Sequence, residues 1–207
     1  MSATAALAHF ALDCQYDKLP ARTVKEAHRT FLNWLGCSIG ASRHPSTEIA
    51  LRTVSARAGL GEAAVLGRRE RLDLVNAAWL NGISSHTFDF DDTHLKTIIH
   101  PAGPVASAAL ALAETRHTRG EDFINALVLG IEVECRIGNA VYPDHYDAGW
   151  HITGTAGVFG AAAACGRLLG LDEKSMRYAL GIAATQSSGL REMFGSMCKA
   201  LDRKSVV

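Results

Sequence analysis

Apolar residues recur every three or four positions along most of the chain, which is the spacing that gathers them on one face of an α-helix. The clearest case begins at Pro20, a residue that a first helical turn tolerates, and ends near Gly40. Its apolar positions are Val24, Ala27, Phe31, Leu35 and Ile39. This pattern predicts one long amphipathic helix over residues 20–40.

The same periodicity and the usual signals of helix ends predict further helices. One begins at Ser46 with Ile49 and Val54 inward, and residues 102–115, 121–138 and 153–169 form three more. Another is marked by Leu72, Val75, Trp79 and Ile83, and a last one carries Met176, Leu180 and Ala183. Asp172 is a suitable N-cap for that last helix, because its side chain can accept from a free backbone N–H.

Strand patterns are scarce. Only residues 63–66 look extended, and neither alternating β-patterned runs nor hairpin dipeptides occur elsewhere. The sequence therefore predicts an all-α fold class rather than α/β: a multi-helix packed domain with no internal boundary.

The charge balance and the cysteines narrow the class of protein. Lys plus Arg and Asp plus Glu both number 21, so there is no basic excess for nucleic acid. Five cysteines without CxxC spacing predict reduced residues on apolar helix faces, in a cytoplasmic protein. The N-terminus lacks a cationic signal-peptide start, and the apolar run at residues 152–171 contains Arg167. We therefore expect no nucleic acid and no membrane as partners.

Residues 86–104, HTFDFDDTHLKTIIHPAGP, depart from helical periodicity. Carboxylates beside imidazoles allow pKa values to be pushed apart, as general acid–base catalysis requires. The chemistry-bearing residues are Asp89, Asp91, Asp92, Thr93, His94 and His100. The alternative interpretation is a hydrated helix end followed by a polar loop.

Two later stretches carry candidate chemistry of their own. Residues 142–155 place His151 just before a Gly- and Thr-rich helix start, whose free N–H groups can bind a carboxylate. Residues 187–201 place Arg191 and Lys199 among apolar residues, where cations can clamp an acidic substrate. Taken alone, His151 is more simply explained as a hydrogen-bonded interior histidine, and residues 187–201 as a solvated helix end.

Several apparent cofactor and nucleophile motifs lack the surrounding secondary structure or the spacing that their functions require. Residues 89–93 fit the DxDxT pattern of haloacid-dehalogenase-type phosphatases, but a helix rather than a buried strand is predicted before them. The glycines at 154, 157 and 160 do not form a dinucleotide fingerprint, and no phosphate loop occurs. A metal site from Asp89, Asp92, His94 and His100 is chemically possible, but no known ligand spacing supports it. We predict no metal and no cofactor.

Five segments together resemble the MmgE/PrpD family, which includes dehydratases of 2-methylcitrate and decarboxylases of cis-aconitate. They are LPARTVKEAHRTFLNWLGCSIGAS, AVLGRRERLDLVNAAWLNGISSHTFDFDDTHL, HPAGPVASAALALAE, GWHITGTAGVFGAAAACGRLLGLD and GLREMFGSMCK. The resemblance implies a large all-helical domain with a smaller α+β lid, usually in a homodimer and without an obligatory cofactor. It implies a lyase acting on a small di- or tricarboxylic acid by dehydration or decarboxylation.

The resemblance also implies roles for particular residues. His100 and His151 are expected to exchange protons, and Asp89 to orient or tune an imidazole. Thr93, Asp92 and Lys199 are expected to bind substrate carboxylates. Two alternatives stay open: an isomerase or epimerase of a related dicarboxylate, which could use the same acid–base pair, and a non-catalytic helical module.

The resemblance ends at Lys199, so residues 1–199 are expected to form the N-terminal helical domain of the family. Residues 200–207 depart from the family pattern, and we expect them to be a truncation or frame-shift product. The α+β lid would then be missing from this chain.

Overall fold

Helices make up most of the computed structural model, which describes residues 2–57 and 59–203. The α-helices are α1 Ala3–Asp13, α2 Ala21–Gly40, α3 Pro45–Ser55, α4 Leu74–His86, α5 Ala102–Arg116, α6 Gly120–Val141, α7 Asp144–Asp147, α8 Ile152–Leu168 and α9 Glu173–Thr185. Three 3₁₀ helices cover Tyr16–Lys18, Arg191–Met193 and Met197–Arg203, and two short strands are β1 Ala63–Ala64 and β2 Arg71–Leu72. The all-α fold class is confirmed.

Helices α5, α6 and α8 form the centre of the domain, with α4 and α2 packed outside α5. Their contact is close because small residues face one another. A Cβ atom at Gly130 of α6 would lie 2.6 Å from the backbone oxygen of Gly160 of α8, and a Cβ at Gly160 would lie 2.8 Å from that of Gly130. Only glycine permits this approach of two backbones. The start of α8, which follows His151, is thereby fixed against the core.

Helix ends follow the predicted chemistry at several places. Asp172 accepts a hydrogen bond from Ser175 N at 2.7 Å and begins α9, as predicted. Asp73 does the same for α4, accepting from Asn76 N at 3.1 Å. Helix α2 begins and ends within one residue of its predicted bounds.

Some positions differ from the sequence predictions. Ile49, predicted to face inward, is 47% exposed. Leu72 belongs to β2 and not to α4, because residues 63–64 and 71–72 pair as an antiparallel hairpin in the register Ala63 with Leu72. Strand pairing supplies residues 71–72 with backbone hydrogen bonds. The helical spacing of Leu72 therefore predicted the wrong element.

Helix α1 was not predicted from the sequence, although its alanines at 5, 8 and 11 are buried. All five cysteines are free. Cys135 is buried in α6 as predicted, and burial raises the pKa of the Cys165 thiol in α8 to about 12; Cys198, in contrast, is exposed. Within residues 2–57 and 59–203, no helix combines the length and the apolar character needed to cross a membrane.

Candidate active site

The loop between α4 and α5, residues 87–101, brings the first group of candidate residues together. Asp89 turns the chain with a φ of 59°, a left-handed conformation that Asp tolerates better than most residues. Farther along, the Asp92 carboxylate accepts from Ala102 N at 3.2 and 3.3 Å at the start of α5. His100 N donates to Thr153 Oγ1 of α8 at 3.1 Å. The loop is therefore tied to two core helices.

Asp89 and Lys199 form the closest ion pair of this region. Lys199 Nζ lies 2.7 Å from Asp89 Oδ2, although the two residues are more than a hundred positions apart in sequence. Partial burial acts to raise the pKa of Asp89, but the hydrogen bond and charge of Lys199, with smaller effects of His86 and His100, lower it overall. Asp89 is therefore a carboxylate at neutral pH.

His100 faces this ion pair. Its Nε2 atom lies 3.9 Å from Asp89 Oδ1, and its Nδ1 atom lies 3.1 Å from the backbone oxygen of Asp92. A carbonyl oxygen only accepts hydrogen bonds, so Nδ1 carries a proton and the neutral ring has its lone pair on Nε2. Thr93 Oγ1 lies 3.3 Å from the same Nδ1 atom. His100 therefore presents a basic nitrogen toward Asp89.

His151 reaches the site from the other side, as the N-cap of α8. Its backbone N donates to Gly189 O at 3.1 Å, and Arg191 N donates to Gly149 O at 2.9 Å, so residues 142–155 and 187–201 are joined. The imidazole is buried and makes an edge contact with Phe194, with ring centroids 5.1 Å apart. The second and third predicted stretches thus form one wall.

A buried histidine of the site, His86, was not among the candidates, whereas its partner Asp91 was named among the chemistry-bearing residues of 86–104. His86, the last residue of α4, and Asp91 have fully buried side chains, and His86 Nδ1 lies 3.3 and 3.2 Å from the two carboxylate oxygens. The ring of His86 is 5.2 Å from that of His100 and stacks on that of His151 at 6.1 Å. The available signal for His86 was its place at the start of residues 86–104, three positions before Asp89.

A cavity of about 260 Å³ opens beside the ion pair and is bordered by Asp89, Lys199, Gly195 and His44. His44 was not predicted. Its Nδ1 accepts from Ser46 N at 3.3 Å, as the N-cap of α3. Since His44 lies outside the recognised motifs, only the fold brings it to this cavity.

Other candidate residues have structural partners. The Asp92 carboxylate is engaged with α5, and His94 Nδ1 lies 2.7 Å from Thr97 Oγ1 of its own loop. The Arg191 guanidinium donates to Tyr146 O at 2.8 Å and lies 4.0 Å above the Tyr146 ring, so it joins two segments of the wall. The substrate-binding role of Asp92 stays a prediction.

The donor atoms of the site are close enough to raise the question of a metal ion. One ligand atom each from His86, Asp89, Asp91 and His100 lies within 4.8 Å of the others, a mixed nitrogen and oxygen set that suits a divalent transition metal. This set differs from the one considered on sequence, since Asp91 and His86 replace Asp92 and His94. The ammonium of Lys199 already supplies a cation to Asp89.

The all-α domain brings imidazoles, a carboxylate and an ammonium group together beside a cavity. These groups are the components of an acid–base site. The chain belongs to the MmgE/PrpD family, because the profile of the MmgE/PrpD N-terminal domain matches residues 5–204. This confirms the resemblance seen in the sequence. A helix precedes Asp89, so the phosphatase interpretation of residues 89–93 is also excluded.

The chain is similar to proteins named cis-aconitate decarboxylase or cis-aconitate decarboxylase-like protein. The chain is 32% identical over 203 residues to a cis-aconitate decarboxylase of Aspergillus terreus, covering 95% of this chain and 41% of the relative. It is 33% identical over 195 residues to a cis-aconitate decarboxylase-like protein of Aspergillus oryzae, covering 90% and 40%. The human cis-aconitate decarboxylase is 31% identical over 176 residues, covering 82% and 36%. The chain thus spans about two fifths of the length of these relatives.

Proposed function

We propose that this chain supplies the acid–base wall of a lyase that acts on a small di- or tricarboxylic acid. The observation that carries the proposal is the ion pair of Asp89 and Lys199 beside His100 Nε2, at the mouth of a cavity. The family and the names of the relatives support the same reaction class. The chain spans part of those relatives, so the activity of the whole protein is included in the proposal.

The charges of the site suit an anionic substrate. Lys199 would bind one substrate carboxylate, and part of its ion pair with Asp89 would be replaced by this new contact. The positive end of the α8 helix dipole would favour a second negative charge near His151. These groups would also stabilise negative charge that develops during the reaction.

His100 and His151 would move protons. When His100 Nε2 accepts a proton, the negative charge of Asp89 stabilises the imidazolium that results. Each positioned acid or base contributes roughly a hundred- to ten-thousand-fold to the rate. We propose that Asp89 stabilises the His100 imidazolium, by analogy with a carboxylate that supports a catalytic histidine.

Decarboxylation is the variant that the names of the relatives favour. The bond between a carboxylate carbon and its neighbour breaks, CO₂ leaves, and the remaining electron pair receives a proton from an imidazolium. In the dehydration variant, a proton beside a carboxylate goes to an imidazole and a hydroxyl leaves as water after protonation. Both reactions balance without a redox partner.

Product analysis tests the proposal. We expect the purified chain to convert ¹³C-labelled cis-aconitate with release of ¹³CO₂, followed by NMR, with 2-methylcitrate tested in parallel for dehydration. The His151→Gln variant should lose turnover, because Gln cannot carry the proton. The matched control is His94→Gln, which removes a histidine of the same region that binds within its own loop.

Three results would contradict parts of this account. Equal rates for His151→Gln and wild type would remove His151 from the mechanism. An epimerised acid without CO₂ or unsaturated product would replace the lyase by an isomerase. Absence of both turnover and substrate binding would favour a non-catalytic helical module.

The homodimer and the cytoplasmic location stay predictions, and light scattering would test the homodimer.

A further inference from the structure

The pair of His86 and Asp91 is buried beside the candidate site, and His86 is one of the residues that line its cavity. The carboxylate of Asp91 is bonded to His86 Nδ1 through both oxygens, and neither side chain is exposed. With Asp91 as a carboxylate, which only accepts hydrogen bonds, His86 Nδ1 is the donor. His86 itself closes α4, so the pair is anchored to a helix that packs on α5 and α2.

This pair lies between the two histidines assigned to proton transfer. The His86 ring is 5.2 Å from the His100 ring and 6.1 Å from the His151 ring, with an interplanar angle of 21° to the latter. Asp91 Oδ1 also lies 3.6 Å from His100 Nδ1. His86 is therefore the middle member of a row of three imidazoles.

The energetic cost of the pair indicates a role beyond packing. Burial of a carboxylate and an imidazole removes both from water, and apolar side chains of similar volume would fill the space without that penalty. A hydrogen-bonded pair, in contrast, fixes the orientation of a ring in a way that apolar packing does not. His100 and His151 come from different segments, so their relative placement depends on what lies between them.

We propose that His86, held by Asp91, is a positioning residue that fixes the orientation and separation of the His100 and His151 imidazoles. This inference rests on the proposed function, in which those two rings are the reacting groups. His86 has no exposed side-chain surface and acts through its neighbours. A placement error of about 1 Å in reacting groups can cost on the order of a hundredfold in rate.

The test uses the whole chain with ¹⁵N-labelled histidine, observed by NMR at a fixed pH. In the wild type, the bonded and buried Nδ1 proton of His86 should give a slowly exchanging low-field resonance. The nearly isosteric Asp91→Asn variant keeps one acceptor oxygen but removes the charge, so it should shift that resonance and should move the ring signals of both His100 and His151. The signal of His151 is decisive, because its ring stacks on His86.

Asp73→Ala is the matched control. It removes the N-cap hydrogen bond at the other end of α4 and so loosens the same helix without touching the pair. We expect the three histidine spectra of this variant to match the wild type. Should Asp91→Asn fail to fold, His86→Asn keeps a donor for Asp91 but removes the ring, and it should still move the His151 signal.

The proposal would be overturned if the His100 and His151 signals stayed unchanged in a folded Asp91→Asn or His86→Asn variant. It would also be overturned if Asp73→Ala shifted those signals equally. In the product assay, Asp91→Asn should lower kcat on the order of a hundredfold with KM within about twofold of wild type. An inactive wild type would contradict the proposed function, while the NMR spectra would still decide the positioning role.

Discussion

The centre of the domain and the candidate active site are held together by opposite means. Where α6 crosses α8, the backbones at Gly130 and Gly160 approach so closely that no side chain fits between them. In the site, charged and polar side chains of three distant segments meet, and two of them, His86 and Asp91, are completely buried. The centre gains stability from close packing, whereas the site requires desolvation of charged groups.

The site depends on the centre of the domain for its geometry. The loop of residues 87–101 has little regular structure, yet Ala102 N and Thr153 Oγ1 tie it to α5 and α8. Those helices are themselves positioned by their small-residue contact. A loss of packing at Gly130 should therefore disturb the site, whereas a change of charge in the site should leave the centre intact.

The largest effect on stability is expected from Gly130→Ala. The added Cβ would meet Gly160 O and Val105 Cγ1, each at 2.6 Å, so the helices must separate. We expect the free energy of unfolding, measured in urea, to fall by about 1–3 kcal/mol, as is usual for overpacking.

Gly36→Ala in α2 is the control, because nothing lies within 4 Å of an added Cβ there. Alanine is favoured over glycine in helices by up to about 1 kcal/mol, so this variant should be as stable as wild type or more stable. An equal loss in both variants would contradict the packing argument.

A smaller effect is expected from Asp89→Asn, since Asn also tolerates the left-handed conformation. Asp89 is half exposed, so its ion pair should contribute less than about 1 kcal/mol. Its pKa is lowered in the folded state, so this contribution is present above the ordinary pKa of Asp and is lost as the pH falls through the lowered value.

Unfolding in urea at several pH values measures this contribution. Wild type should exceed Asp89→Asn in stability at neutral pH, and the two curves should converge in acid. A difference between them that grew with acidification would reverse the sign assigned to Asp89.

The helices were predictable because their signals are local. The periodicity that ends at Gly40 and the N-cap at Asp172 both depend on residues within a few turns. The prediction that Ile49 faces inward was wrong, because distant neighbours decide which face of a helix is covered. The hairpin at Leu72 is likewise a tertiary feature.

The candidate site was predictable only in part. Asp89, His100, His151 and Lys199 were found from motifs, and the structure brings Asp89, His100 and Lys199 into direct proximity, with His151 joined through His86. His86 begins residues 86–104 but was not named as a candidate, because its contact with Asp91 and with two other imidazoles arises only in the fold. His44 was missed since its cavity is assembled only by the fold.

The central claim is that residues of three segments form one carboxylate-binding acid–base site. An NMR titration of the whole chain with cis-aconitate tests it most directly, with signals of His100, His151 and Lys199 followed together. The account predicts that all three move with one dissociation constant. Lys199→Met should weaken binding about ten- to a hundredfold, and Lys96→Met in the exposed part of the loop should not. Signals that move with different constants, or equal affinity in Lys199→Met, would contradict it.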